Sequence, residues 1–121
     1  MSKLVYVIDD DTALRTAYAA ALHSLGHEVE TGCDGLEAQA LVAKKAPDLI
    51  LLDMLMPNMD GLTFLTELRK DQDKASIKVV IVSNFETMPE ISDLQVSKYL
   101  SKVSHAPEAV AASVDSILKA S

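Results

Sequence analysis

The stretch DLILLDMLMPNMDG, residues 48–61, restricts the fold more than any other part of the chain. Leu49 to Leu52 form an unbroken apolar run that ends on Asp53, and a turn containing Pro57 and Asn58 follows. A half-exposed strand would alternate apolar and polar residues. Four apolar residues in a row between an Asp and a proline turn suit a strand buried on both faces. Such strands belong to parallel sheets covered by helices on either side. A carboxylate at the C-terminal end of such a strand stands where open parallel sheets place their ligands. Asp53 is therefore the first candidate functional residue.

The same pattern recurs along the chain. LVYVI, residues 4–8, is a short apolar run before Asp9, Asp10 and Asp11. It reads as strand 1, ending at Asp9, with Asp10 or Asp11 capping the next helix. In that helix Leu14, Tyr18, Ala21, Leu22 and Leu25 recur at helical spacing, and Gly26 stops it. Residues 28–32 make a weak second strand centred on Val29. Asp34 and Gly35 turn into a second helix whose inward face is Ala38, Leu41 and Val42. Ala46-Pro47 closes it, because the residue before proline resists the helical region. Strand 3 is 49–53, and the third helix follows Asp60 with Phe64, Leu65 and Leu68 buried. Strand 4 is 78–83. Pro89 and poor apolar spacing leave only a short or irregular fourth helix within 84–95. Strand 5 is 97–101, around Tyr99 and Leu100. The last helix, 107–119, buries Val110, Val114, Ile117 and Leu118. Five strands alternating with about five helices predict an α/β fold, a doubly wound five-stranded parallel sheet.

A chain of 121 residues suits one domain spanning 1–121. No apolar run approaches the roughly 20 residues of a membrane span. The N-terminus lacks the basic and long apolar regions of a signal peptide, and Cys33, the only cysteine, cannot form an internal disulfide. A reducing, cytoplasmic setting is the expectation. The net charge of −7 argues against unaided binding to nucleic acid or an anionic membrane.

Polar residues fall at the C-terminal strand ends. Asp9 and Asp10 follow strand 1, Asp53 ends strand 3, Ser83 ends strand 4 and Lys102 follows strand 5. In a doubly wound sheet these ends converge on one edge. Three carboxylates together repel, and a hard divalent cation with oxygen ligands, Mg2+ or Mn2+ in its place, resolves the repulsion. A nucleophilic carboxylate beside a cation and a lysine suits phosphoryl transfer. Asp53 would attack phosphorus, Lys102 would neutralise the phosphoryl oxygens, and Ser83 would donate a hydrogen bond to them.

With these motifs in place, VYVIDDD (5–11), LILLDMLMPNMDG (49–61), VVIVS (79–83) and YLSK (99–102), the chain resembles the receiver domain of two-component response regulators. The likeness is to the single-domain chemotaxis type and covers nearly the whole chain. It implies a flavodoxin-like (βα)5 fold, with Asp53 as phosphoacceptor and a histidine kinase or phosphotransfer protein as donor. It implies Mg2+ on Asp9, Asp10, Asp53 and the Leu55 backbone carbonyl. Ser83 matches the switch hydroxyl, Tyr99 the switch aromatic and Lys102 the phosphate-binding lysine. It further implies that phosphate draws Ser83 inward, that Tyr99 follows, and that a downstream protein partner reads the altered face, as a monomer or a phosphorylation-dependent dimer. Such a domain is a signalling phosphoacceptor rather than an enzyme with a turnover substrate.

Four departures from the family pattern stand out. Val103 replaces the usual proline after the lysine. A cis Lys102–Val103 bond would cost about 2.5–4 kcal/mol, so the expectation is a trans bond with altered loop geometry or a strained cis one. Asn84 follows the switch hydroxyl where a smaller residue is usual. Leu55 and Phe85 flank the site and are apolar, so neither can orient an attacking water; slow self-dephosphorylation follows. The segment from Ser83 to Lys102 is shorter than in the chemotaxis protein by about one helical turn, roughly three to four residues.

Two other readings compete. A receiver-fold interaction module would never be phosphorylated. A small aspartyl-phosphate phosphatase of the haloacid-dehalogenase type would use Asp9 and Asp11 as its D-x-D. There Ala13 stands where threonine or valine belongs, and the later paired acids are missing. Met54, Met56 and Met59 read as packing residues, His23, His27 and His105 as surface residues, and Cys33 as a small structural residue.

Overall fold

The structure is a computed structural model that describes residues 2–84 and 94–120. The elements run β1 (Leu4–Ile8), α1 (Thr12–Ser24), β2 (Glu28–Gly32), α2 (Gly35–Lys44), β3 (Leu49–Asp53), α3 (Gly61–Lys70), β4 (Lys78–Ser83), β5 (Lys98–Ser101) and α4 (Pro107–Lys119). All strand pairs are parallel, in the order β2-β1-β3-β4-β5. The sheet is therefore wound in opposite directions from its centre, and strand order reverses between β1 and β3.

The unbroken apolar runs produce this arrangement. Every residue of β1 and β3 is buried. Alternate residues serve opposite faces, since side chains on a strand alternate. Tyr6, Ile8, Ile50, Leu52, Val79 and Ile81 pack with Ala38 and Val42 of α2 and Phe64, Leu65 and Leu68 of α3. Val5, Val7, Leu49, Leu51, Val80 and Val82 pack on the other face with Tyr18 and Leu22 of α1 and Val110, Val114 and Leu118 of α4. Neither set of helices could bury its stripe without the sheet between them.

Helix starts follow the expected chemistry. Asp11, Asp34 and Asp60 each accept a hydrogen bond from the backbone N–H three residues on, and Pro107 opens α4, where a missing N–H costs nothing. Several boundaries differ from the sequence reading. β1 ends at Ile8, because the Asp9 carboxylate turns back to accept the Asp11 N–H. β5 begins at Lys98, not residue 97. Leu25, placed on the buried stripe of α1, is exposed at its C-cap, one position beyond the last helical residue. Of the expected irregular helix in 84–95, residues 85–93 lie outside the described residues. The Lys102–Val103 bond is trans. Among the described residues no helix is long and apolar enough to cross a membrane.

Two long-range side-chain contacts were not foreseen. The Arg69 guanidinium on α3 donates to the carbonyls of Ala75, Ile77, Leu94 and Gln95, tying α3 to the approaches of β4 and β5. His27, read as a surface residue, is buried. Gly26, at φ 91, turns the chain so that the imidazole faces α4. There Nε2 meets Asp115 Oδ1 at 2.7 Å, while Nδ1 accepts from the Lys3 N–H at 3.3 Å. That pattern makes Nε2–H the donor to Asp115. Asp115 also pairs with Lys119 at 2.9 Å; Lys119 and His27 together hold its carboxyl below the usual range. The contact spans 88 residues of sequence, so no local pattern announces it. His27→Ala is expected to lower stability by about 2 kcal/mol, through the lost packing and the lost partner of Asp115; a denaturant midpoint unchanged from wild type would contradict it.

Candidate functional site

The parallel register carries the polar strand ends to one edge. Asp53 lies beside Val82 and Ser83 beside Ser101. The Asp9 N–H bonds the Gly32 carbonyl at 3.0 Å and the Lys102 N–H bonds the Ser83 carbonyl at 2.7 Å, so the ladder continues one residue past β1 and β5. Asp9 and Lys102 are thereby held at the mouth by backbone, not by side-chain chance. Asp10, Asp11, Leu14, Asp53, Leu55, Ser83, Asn84 and Lys102 line an open cleft of about 380 Å³.

The Lys102 ammonium is 2.8 Å from Asp9 Oδ2 and 3.4 Å from Asp53 Oδ2. Asp9 and Asp53 are buried, and so is the Lys102 head, whose side chain is 8% exposed; Asp10 is exposed at the rim. Burial and the Asp9 charge push the Asp53 carboxyl up to about 6, against the pull of Lys102 and the Leu55 N–H. Burial works to lower the Lys102 pKa, but the two carboxylates outweigh it and leave it raised. One ammonium therefore faces three carboxylates and cannot neutralise them.

A cation site fits these residues. Asp9, Asp10 and Asp53 each offer an oxygen within 4.8 Å of the others. Asp9 Oδ1 is used by the Asp11 N–H. Oδ2 is buried and faces the Lys102 ammonium at 2.8 Å. Three carboxylates gathered around one ammonium, all offering oxygen, suit a hard divalent cation.

Ser83 is buried at the end of β4, and Tyr99 on β5 is half-buried against the core with Leu94 and Val96. The Leu55 side chain is exposed beside the cleft, as is Val103 past Lys102, and Asn84 lines the cleft. Phe85 lies outside the described residues. Every other residue singled out from sequence is thus at one sheet edge, except Tyr99, which stands two residues before the mouth. Three residues were missed as neighbours of the site. Arg15, one turn into α1, donates to the Asp9 carbonyl at 2.7 Å. Asp34 and Asn58, read as turn residues, bond each other. Only a helix turn adjoining the acidic strand end hinted at Arg15, and nothing local pairs residues 34 and 58.

Comparison with known proteins places the chain in a family. The family model described as the response regulator receiver domain matches residues 5–114. The chain is 37% identical over 79 residues to a DNA-binding dual master transcriptional regulator, RpaA, of Synechocystis sp., covering 65% of this chain and 33% of that protein. It is 30% identical over 115 residues to a probable transcriptional regulator, ycf27, of Porphyridium aerugineum, covering 95% and 48%. The chain thus spans about a third to a half of the length of these curated relatives. Among solved structures it resembles the receiver domain of NtrX from Brucella abortus (27% identity, TM-score 0.83, 97% and 99% covered). It also resembles the Mn2+-bound form of response regulator Rcp1 (25%, TM-score 0.81, 94% and 92%).

The raised Asp53 carboxyl sets a stability test without cation. Its folded pKa, about 6, exceeds the ordinary 3.8, so the folded state holds that proton more tightly. The ionised carboxylate therefore costs stability that is absent below about pH 4, grows up to about pH 6 and is constant above. Asp53→Asn should accordingly be more stable than wild type by about 2 kcal/mol at pH 7, with the gain vanishing near pH 4. Denaturant melts at the two pH values read it; a variant less stable at pH 7 would be the contrary result.

Proposed function

Since the chain belongs to the response regulator receiver domain family of two-component signalling, we propose that it accepts a phosphoryl group on Asp53 and switches a protein partner through Ser83 and Tyr99. Receiver domains accept phosphate from histidine kinases and bind Mg2+ at an acidic pocket. The observation that carries the reading is the placement of Asp53 Oδ2 within 3.4 Å of the Lys102 ammonium, inside a cluster of three carboxylates.

Asp53 is the nucleophile. One of its oxygens bonds to phosphorus as the bond from phosphorus to the donor breaks, and the departing group, an imidazole from a histidine kinase or phosphotransfer protein, leaves with the electron pair. Burial keeps the carboxylate poorly solvated, and Lys102 offsets charge on the incoming oxygens. Asp9, Asp10, Asp53 and the Leu55 carbonyl would hold Mg2+, which when bound would supply further neutralisation of the phosphoryl oxygens. Ser83, one strand over, donates to a phosphoryl oxygen once it is in place, and Tyr99 on β5 takes up the space the hydroxyl leaves. A local charge then biases a packing choice at the edge strand, where a partner can read it.

Leu55, exposed beside Asp53, has no polar side-chain atom to orient an attacking water, and Asn84 lines the cleft and narrows access to Asp53, so the phosphoryl group persists. The output partner is a protein. The acidic surface, with a net charge of −7, opposes contact with nucleic acid, and the transcriptional roles in the relatives' names belong to those longer proteins.

The test is intact mass after incubation with Mg2+ and acetyl phosphate. One phosphoryl group should add to wild type, none to Asp53→Asn and none with a chelator present. The adduct should last minutes or longer. Decay within seconds would refute the roles given to Leu55 and Asn84. No adduct at all would favour the interaction module, and continuous phosphate release the phosphatase.

A further inference from the structure

The loop that leaves Asp53 is braced from outside the cleft. Its two ends are closed by α3: the Gly61 N–H bonds the Met54 carbonyl at 3.0 Å, and a Cβ on Gly61 would fall 2.1 Å from the Asp53 carbonyl oxygen. Its crest is held by the start of α2. The Gly35 N–H donates to the Met59 carbonyl at 2.9 Å, and a Cβ on Gly35 would lie 2.8 Å from that same oxygen. Beside this backbone contact, Asn58 Nδ2 donates to Asp34 Oδ2 at 2.7 Å. Asp34 is only 4% exposed, and its other oxygen is committed to the Glu37 N–H at 2.9 Å as the α2 cap. Asn58 sits at φ 65, the left-handed region that asparagine tolerates better than most residues. Leu55 lies between the two anchorages.

We propose that the Asp34–Asn58 hydrogen bond positions the loop carbonyl of Leu55 and the carboxylate of Asp53 for a divalent cation, making Asp34 and Asn58 positioning residues of the site. The inference rests on the metal-dependent phosphoacceptor reading above. A carbonyl ligand on a seven-residue connection is only as well aimed as the loop that carries it, and partners outside the ligand set do that aiming in metal sites. Asp34 is suited to it because the helix cap holds the carboxylate in one orientation, and a charged acceptor makes the stronger bond. The Asn58 amide, with the Glu37 N–H, also keeps the Asp34 carboxyl below its usual range, so it stays an acceptor.

The experiment is calorimetric titration of MgCl2 into the full chain, with thermal unfolding measured in the absence of cation. Asn58→Gly removes the amide while easing the left-handed backbone. It should raise the Mg2+ Kd about tenfold, while the cation-free chain still unfolds cooperatively at a somewhat lower midpoint because Asp34 Oδ2 has lost its partner. Asn58→Asp sets two carboxylates against each other. It should also weaken Mg2+, although added negative charge alone would strengthen it. Adding Asp34→Asn to Asn58→Asp restores an amide–carboxylate bond with the roles reversed, and should return Kd close to wild type. Wild-type affinity in Asn58→Gly, tighter binding in Asn58→Asp, or no rescue in the double variant would each overturn the positioning role while leaving the metal site standing. A wild-type chain that takes up no Mg2+ would overturn the metal reading and this inference with it.

Discussion

The Lys102 ammonium, buried between Asp9 and Asp53, is the contact on which the site depends. It joins the ends of β1, β3 and β5, and the lysine stem reaches past the end of β4 to Asp53 and past both β4 and β3 to Asp9. Burying charged groups is costly, and the cost is recovered only where opposite charges meet at close range. Here the compensation is incomplete: one cation faces three carboxylates. The sheet holds these groups together because its core does not allow them to separate. The site thus gathers more carboxylate than ammonium charge at one sheet edge.

The frame explains why one residue type has several fates within a short distance. Asp9, Asp10 and Asp11 are consecutive. Asp9 is carried into the mouth by its backbone bond to Gly32, Asp10 stays at the rim, and Asp11 caps α1. Asp34 and Asp60 cap α2 and α3. Asp34 does a second job, because the β2–α2 corner packs against the loop leaving β3, whereas Asp11 and Asp60 are exposed and have no such neighbour. Chemistry is allotted by position relative to the sheet edge, not by the side chain itself.

Much of this was legible in the chain. The continuous apolar runs at 4–8, 49–52 and 79–82 gave both-face burial, and with it a parallel sheet. The strand-end acids, Ser83 and Lys102 then converged of necessity. The misreadings have a common cause. His27 reads as a surface residue because its neighbours are polar, yet it is buried against Asp115. Leu25 fits the helical period but falls past the last turn, where the stripe has no core to face. Arg69 carries no sequence signal at all, yet four carbonyls from two other segments meet it.

The sequence by itself determined the elements, the class of sheet and the membership of the acidic cluster. These depend on local periodicity and on strand ends, which the pleat and the parallel topology bring together. Only the tertiary structure decided which groups are paired: Lys102 with Asp9 and Asp53, His27 with Asp115, Asp34 with Asn58. Such pairs join segments 24 to 93 residues apart. Their energies arise from desolvation and from distances of a few ångströms, quantities that no spacing along a chain encodes.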